Sequence, residues 1–157
     1  MRLFLRYLVF AALLSRGYMC FAQAVTIRVV NADNGRPLRD QQVNVSLLYQ
    51  GGEAVPEKYD AHLSFHTDAN GEVRFVLPHP APGHLSAQVE LNPAHWHCAC
   101  GSLASTEELV SNGIVSQMPP GRQGKSAVPT TATPAQILFF ARPLSFWQRL
   151  LYPLAKG

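Results

Sequence analysis

The stretch Leu63 to Leu77, LSFHTDANGEVRFVL, constrains the fold of this chain more than any other. Leu63 and Phe65 alternate with Ser64 and His66, and Val73, Phe75 and Leu77 alternate with Arg74 and Val76, so each run offers one apolar face at strand period. Between them, Asp68 can bond its own backbone, and Asn70-Gly71 can adopt the positive φ of a tight reversal. The spacing predicts two short strands folded back as a hairpin across Thr67 to Gly71.

The same alternation recurs on both sides. Val25 to Val30 is rich in β-branched residues and ends in the turn formers Asn31 to Gly35, while Val43, Val45 and Leu47 alternate with Asn44, Ser46 and Leu48. Tyr49 to His62, with Gly51-Gly52, Pro56 and four charges, reads as an exposed excursion with room for a ragged edge strand. Beyond Pro78 to Gly83, which proline makes unfit for a ladder, Leu85, Ala87, Val89 and Leu91 define a fifth strand. Five short strands separated by Gly and Pro turns, with no long helical pattern between them, predict a mainly β antiparallel sandwich.

The chain ends adjust this picture. Arg2 and Arg6 precede the apolar run Tyr7 to Leu14, and Ala22-Gln23-Ala24 offers small residues where a signal peptidase cuts, so residues 1–24 read as an export signal with Val25 as the mature start. An uncleaved anchor is the alternative, although the run is shorter than the roughly 20 residues a membrane span takes. The signal holds three arginines and no acid, so the chain from Val25 keeps ten basic and ten acidic residues. That balance leaves no basic stripe for phosphates and argues against nucleic-acid binding. A secreted or periplasmic location follows, and it permits Cys98 and Cys100 to oxidise.

Ser105 followed by Glu108 is a capping-box spacing, and Leu109-Val110 with Asn112-Gly113 gives a short helix its apolar residues and stop. Residues 25–115 therefore form the sandwich unit, and 116–134, dense in Pro, Gly, Ser and Thr, reads as a flexible linker or loop. Residues 135–157 hold a strand, Gln136 to Arg142, apolar on both faces, then a short amphipathic helix capped by Ser145 with Trp147, Leu150, Leu151 and Leu154 at helical spacing. A strand apolar on both sides needs a cover on its outer face, and the closing helix is the expected one. Left exposed instead, Phe146, Trp147, Leu150 and Leu151, beside Arg149 and Lys156, would dock a partner or a membrane surface.

The strings VTIRVVNADNGRPLRDQQVNVSLL and FHTDANGEVRFVLP resemble the carboxypeptidase regulatory-like domains, also called transthyretin-like or prealbumin-like, of exported bacterial proteins. The resemblance spans roughly Val25 to Leu91. It implies an Ig-like or transthyretin-like sandwich of about seven strands serving as a structural or binding accessory. The chain departs from the enzymes of that group. It ends Tyr-Pro-Leu-Ala-Lys-Gly, without the Tyr-Arg-Gly-Ser ending of the hydroxyisourate hydrolases, and no histidine has Glu three residues on, as a carboxypeptidase zinc site requires.

Candidate chemistry concentrates in His95-Trp96-His97-Cys98-Ala99-Cys100. Imidazole and thiolate suit zinc or copper, so His95, His97, Cys98 and Cys100 are candidate metal ligands, yet strand alternation points the histidines and the cysteines to opposite sides. A Cys98 to Cys100 disulfide, a thiol-exchange role and a simple loop pin are the competing readings. Asp68, Asn70 and Glu72 lack the frame of a calcium loop, and His62, His66, His79 and His84 read as surface histidines. No nucleophile elbow or phosphate cradle occurs, so a non-enzymatic module is expected without a cofactor. Its partner would be an envelope protein or a glycan; the alternatives are a small metal or thiol-redox protein centred on His95 to Cys100, and a membrane-surface accessory held peripherally by the closing helix.

Overall fold

A computed structural model describes residues 23–49, 58–98, 100–119 and 128–151. The elements in chain order are β1 (Ala24–Asn31), β2 (Gln42–Tyr49), β3 (Lys58–His66), β4 (Glu72–Val76), β5 (His84–Glu90), β6 (Trp96–Cys98), β7 (Gly101–Ser105), α1 (Thr106–Asn112), β8 (Ile114–Val115), β9 (Gln136–Pro143) and α2 (Phe146–Leu151). The chain is mainly β, and its strands form two sheets that enclose a shared core. Residues 1–22 of the expected export signal lie outside the described residues. Ala24 is the first residue of β1 and sits opposite Val76, and the Leu77 N–H donates to the Gln23 carbonyl at 2.9 Å.

Sheet B has the order β3-β2-β5-β7 and is antiparallel throughout. Sheet A has the order β4-β1-β9-β6, with β8 also paired to β9. The wholly antiparallel sandwich expected from the turns is corrected here, because β9 runs parallel to both β1 and β8. A parallel partner needs a long crossover, and the segment between Val115 and Gln136 supplies it. Turn spacing carries no information about such a return.

The predicted hairpin is corrected as well. β3 pairs with β2, while β4 pairs with β1, so the reversal at Thr67 to Gly71 carries the chain from one sheet to the other. Two runs with one apolar face each satisfy the same hydrophobic demand by facing one another across the core. The Phe65 and Phe75 rings stack there with centroids 5.5 Å apart.

The corner is held by its own polar groups. Asp68 accepts at one carboxylate oxygen from the backbone N–H groups of Asn70 (2.8 Å) and Glu72 (2.9 Å). Buried Thr67 accepts at Oγ1 from the Gln41 N–H and donates to the Leu38 carbonyl, tying the corner to the β1–β2 connection. Gly71 has φ 70°, and a Cβ there would meet the Val29 carbonyl oxygen at 2.6 Å. Only glycine accommodates both demands.

The core follows from the alternation. Val25, Ile27 and Val29 of β1 and Val73 and Phe75 of β4 meet Val43, Val45 and Leu47 of β2 and Leu85, Ala87 and Val89 of β5. Helix α1 closes one end. Ser105 accepts from the Glu108 N–H, Gly113 at φ 70° donates back to the Leu109 carbonyl, and Leu109 between them is fully buried.

Strand β9 is buried on both faces. Ile137 and Phe139 point into the main core, whereas Leu138 and Phe140 form a second cluster with Val30 and Ala32 on the outer side of sheet A. Among the described residues, the side chains packed over that second cluster are Met118, Val128 and Ala132. They belong to the 116–134 stretch read as a linker, of which 120–127 lie outside the described residues. The closing helix was the expected cover, yet its Phe146 and Trp147 are 72% and 67% exposed. Arg142 holds the arrangement together, donating from Nε to Asp33 (2.7 Å) and from Nη1 to the Pro119 carbonyl (2.6 Å).

Candidate interaction surfaces

Three regions carry the polar or exposed groups that could contact another molecule. The first is the outer face of sheet B. Because Val43, Val45 and Leu47 point inward, Gln42, Asn44 and Ser46 point outward, and the register sets His66, Gln42 and Glu90 in one row. The next row is Ser64, Asn44, Gln88 and Gly101, and the third is His62, Ser46, Ser86 and Leu103. Cross-strand neighbours in such rows lie about 4.8 Å apart and successive rows about 7 Å apart, which makes a regular plane of polar heads on β3, β2 and β5, edged on β7 by Gly101 and the exposed Leu103.

Parts of this plane are already ordered by internal bonds. Asn44 Nδ2 donates to Glu90 at 2.6 Å and Gln42 Nε2 donates to Asn44 Oδ1 at 3.3 Å. Ser46 Oγ and His62 Nδ1 lie 2.9 Å apart. Glu90 is the one carboxylate among the described outward side chains of these rows. The face therefore offers amide, hydroxyl and imidazole groups with little net charge. In the sequence, those on β2, β3 and β5 are the polar half of each alternation. Their juxtaposition depends on which strands are neighbours.

The second region is the corner between β6 and β7. β6 lies on the edge of sheet A, with Trp96, His97 and Cys98 opposite Pro143, Arg142 and Ala141. The Cys100 carbonyl accepts from the Val89 N–H of β5, so Cys100 already belongs to sheet B. The two sulfurs come together as a disulfide with the Cα atoms 5.1 Å apart, inside the span such a bridge covers. It pins the chain locally at the point where it crosses between sheets. His95 and His97 are exposed, and no group of three or more His, Cys, Asp or Glu side chains comes together here or elsewhere among the described residues. With its sulfurs engaged in each other, this corner offers no thiolate to an ion.

The third region is α2. The Gln148 N–H donates to Ser145 Oγ at 3.3 Å while the Ser145 N–H donates to Gln148 Oε1 at 2.9 Å, a reciprocal capping box. Arg149 Nε donates to the Leu144 carbonyl, and the Leu144 N–H donates to the His95 carbonyl, which fixes the start of the helix to β6. Phe146 and Trp147 stand out from this anchored turn in edge-to-face contact, with centroids 5.6 Å apart. Leu150 and Leu151 continue the helix backbone; their side chains, and Leu154 and Lys156, lie outside the described residues.

No family model matches this chain, and it matches neither a curated protein nor a solved structure.

Proposed function

We propose that this protein is an exported, non-enzymatic β-sandwich that works by binding at the cell envelope, presenting the outer face of sheet B to a protein or glycan partner. The observation that carries the reading is that face itself: eleven outward positions in three registered rows, nine of them polar with Glu90 as their one carboxylate, and Gly101 and the exposed Leu103 along the β7 edge. A flat, near-neutral array of amides and hydroxyls suits a ligand that is itself rich in hydroxyl or amide groups, and does not favour a strongly charged one. The resemblance of Val25 to Leu91 to the carboxypeptidase regulatory-like domains, in their transthyretin-like form, supports the same role of accessory module. Export is supported by Arg2, Arg6 and the Ala22-Gln23-Ala24 site, and by a cysteine pair placed to bridge.

The test replaces Ser64 and Gln88, exposed on either side of Asn44, with arginine. Binding of the native protein and of S64R/Q88R is measured against purified cell-wall glycan and against cross-linked envelope proteins. The expected result is retention of the native protein and at least about a tenfold loss in the variant, at an unchanged unfolding midpoint. Equal retention of both proteins, or none of the native one above an unrelated sandwich, would refute the proposal.

A further inference from the structure

Sheet A ends at β4 and β6, and sheet B ends at β3 and β7. An exposed strand edge invites pairing with another chain, and natural sheets carry devices against it. Here β4 carries the ion pair of Glu72 and Arg74, β6 is only three residues long, and β3 breaks register between Leu47 and Leu48 of its neighbour. β7 has none of these. Its five residues, Gly101-Ser102-Leu103-Ala104-Ser105, hold no charge and no proline, and they pair with β5 in unbroken register.

The register also sets which backbone groups of β7 are turned outward. Along an antiparallel pair, every second residue bonds its neighbour through both N–H and C=O. The Val89 N–H donates to the Cys100 carbonyl and the Thr106 N–H to the Gly83 carbonyl, so Ser102 and Ala104 are the β7 residues whose groups face β5. Gly101, Leu103 and Ser105 turn theirs to the open side of the sheet. Ser105, as the N-cap of α1, gives its carbonyl to the helix and keeps an outward N–H. The Leu103 side chain is 68% exposed on the outer face, and a Cβ built on Gly101 would meet nothing within 4 Å. Donors and acceptors set out at this spacing on an open edge match those of another strand.

We infer that β7 is a dimerisation edge, which pairs antiparallel with β7 of a second copy of this chain about a two-fold axis at Leu103. The strand's own sequence selects that occupant. About Leu103, Ser102 mirrors Ala104 and Gly101 mirrors Ser105, so a two-fold rotation sets small residue against small residue and Leu103 against itself, with no charge at the junction. The two Leu103 residues then exchange N–H and carbonyl bonds, and the Ser105 N–H of each copy donates to the Gly101 carbonyl of the other. With their Cα atoms about 5.5 Å apart, the leucines cover one another on the outer face. Both β7 edges are used up in the pairing, so assembly stops at two copies and joins their B sheets into one. The inference rests on this edge and does not require that the polar rows bind a ligand.

The experiment compares the purified native protein with Leu103→Lys and Leu103→Pro. Lysine sets like charges against each other at the axis, while proline removes an N–H that faces away from β5 and so spares the ladder within the chain. Sedimentation equilibrium over a concentration series should show the native protein passing from monomer to dimer with a Kd between about 1 μM and 1 mM, the range expected of a small interface. Each variant should weaken that association at least about tenfold, at an unchanged unfolding midpoint in dilute solution where all three are monomers. In the native protein, the Leu103 and Ser105 amides should exchange at least about tenfold more slowly where the dimer dominates than where the monomer does. A native protein that stays monomeric up to about 1 mM, or association that Leu103→Lys leaves unchanged, would overturn the inference. So would a dimer in which the Leu103 amide exchanges at the monomer's rate, since the contact would then lie elsewhere, as at the exposed Phe146 and Trp147. If Leu103→Pro unfolds, Leu103→Lys and the exchange rates of the native protein still decide the question.

Discussion

The two sheets bury the same kind of inner face and differ in what lies behind it. Behind sheet A, Val30, Leu138 and Phe140 are apolar and Met118, Val128 and Ala132 close over them. Behind sheet B, the corresponding positions of β2, β3 and β5 carry Gln, Asn, Ser and His, and their strands lie open. An apolar outer face must be covered, whereas a polar one can be left to meet another molecule. The outer face of sheet A thus belongs to the fold's own packing, whereas the open face of sheet B is the one on which the proposed contact rests.

The largest effect should come from treating the two outer faces alike. We predict that Phe140→Ala, at a site 1% exposed, costs about 3–5 kcal/mol in urea denaturation, as a core truncation does. Gln88→Ala, on the open face, should stay within about 0.5 kcal/mol. A Phe140→Ala loss under about 1 kcal/mol would mean that the cover is not packed and that the two sheets are equivalent after all.

A smaller effect isolates the clasp that holds the cover. Arg142→Met keeps much of the side chain's length but removes the bonds to Asp33 and the Pro119 carbonyl, and it should cost about 1.5–3 kcal/mol. Amide exchange should quicken at Ser116, whose N–H donates to the Leu138 carbonyl, and remain slow at Val89 on the other sheet. Equal acceleration at both sites would show that the clasp serves the whole sandwich.

The smallest effect concerns the corner joining the sheets. The Glu72 N–H donating to Asp68 holds that carboxyl below the usual carboxylate range, against the opposing effect of desolvation and with further help from the Asn70 N–H and Arg74. Its contribution is present above the unfolded value of about 4 and is lost as pH falls through the lower folded value. Asp68→Asn keeps an acceptor and removes the titration, so its stability should fall less steeply than the native protein's below about pH 4. Parallel acid profiles would rule the corner carboxylate out as a contributor.

Much of the strand inventory was legible because a strand's period of two is local. Val25 to Val30, Val43 to Leu47 and Leu85 to Val89 form strands where the alternation places them, and Ser105, Glu108 and Gly113 bound α1 as their spacing requires. The short strands β6, β7 and β8 were not legible, since β6 and β8 hold only three and two residues and β7, GSLAS, has no alternating large apolar side chains. β3 extends back to Lys58 through part of what read as an exposed excursion. Of the candidate sites, the Cys98–Cys100 contact and the aromatics of α2 were visible as residues, whereas the sheet B rows were invisible until β3, β2, β5 and β7 were known to be neighbours.

The sequence by itself determined which residues face a core: alternating side chains for most strands, a two-sided apolar run for β9, and a reversal marked by Asp68 and Gly71. Tertiary structure alone decided that this reversal joins two sheets, that β9 lies parallel to β1, and that Met118, Val128 and Ala132 pack against the cluster holding Phe140. The physical reason is that periodicity states how much surface a strand must bury, while burial is non-directional and accepts any apolar partner that the chain can reach. Reach and backbone pairing choose among those partners, and both are properties of the whole molecule.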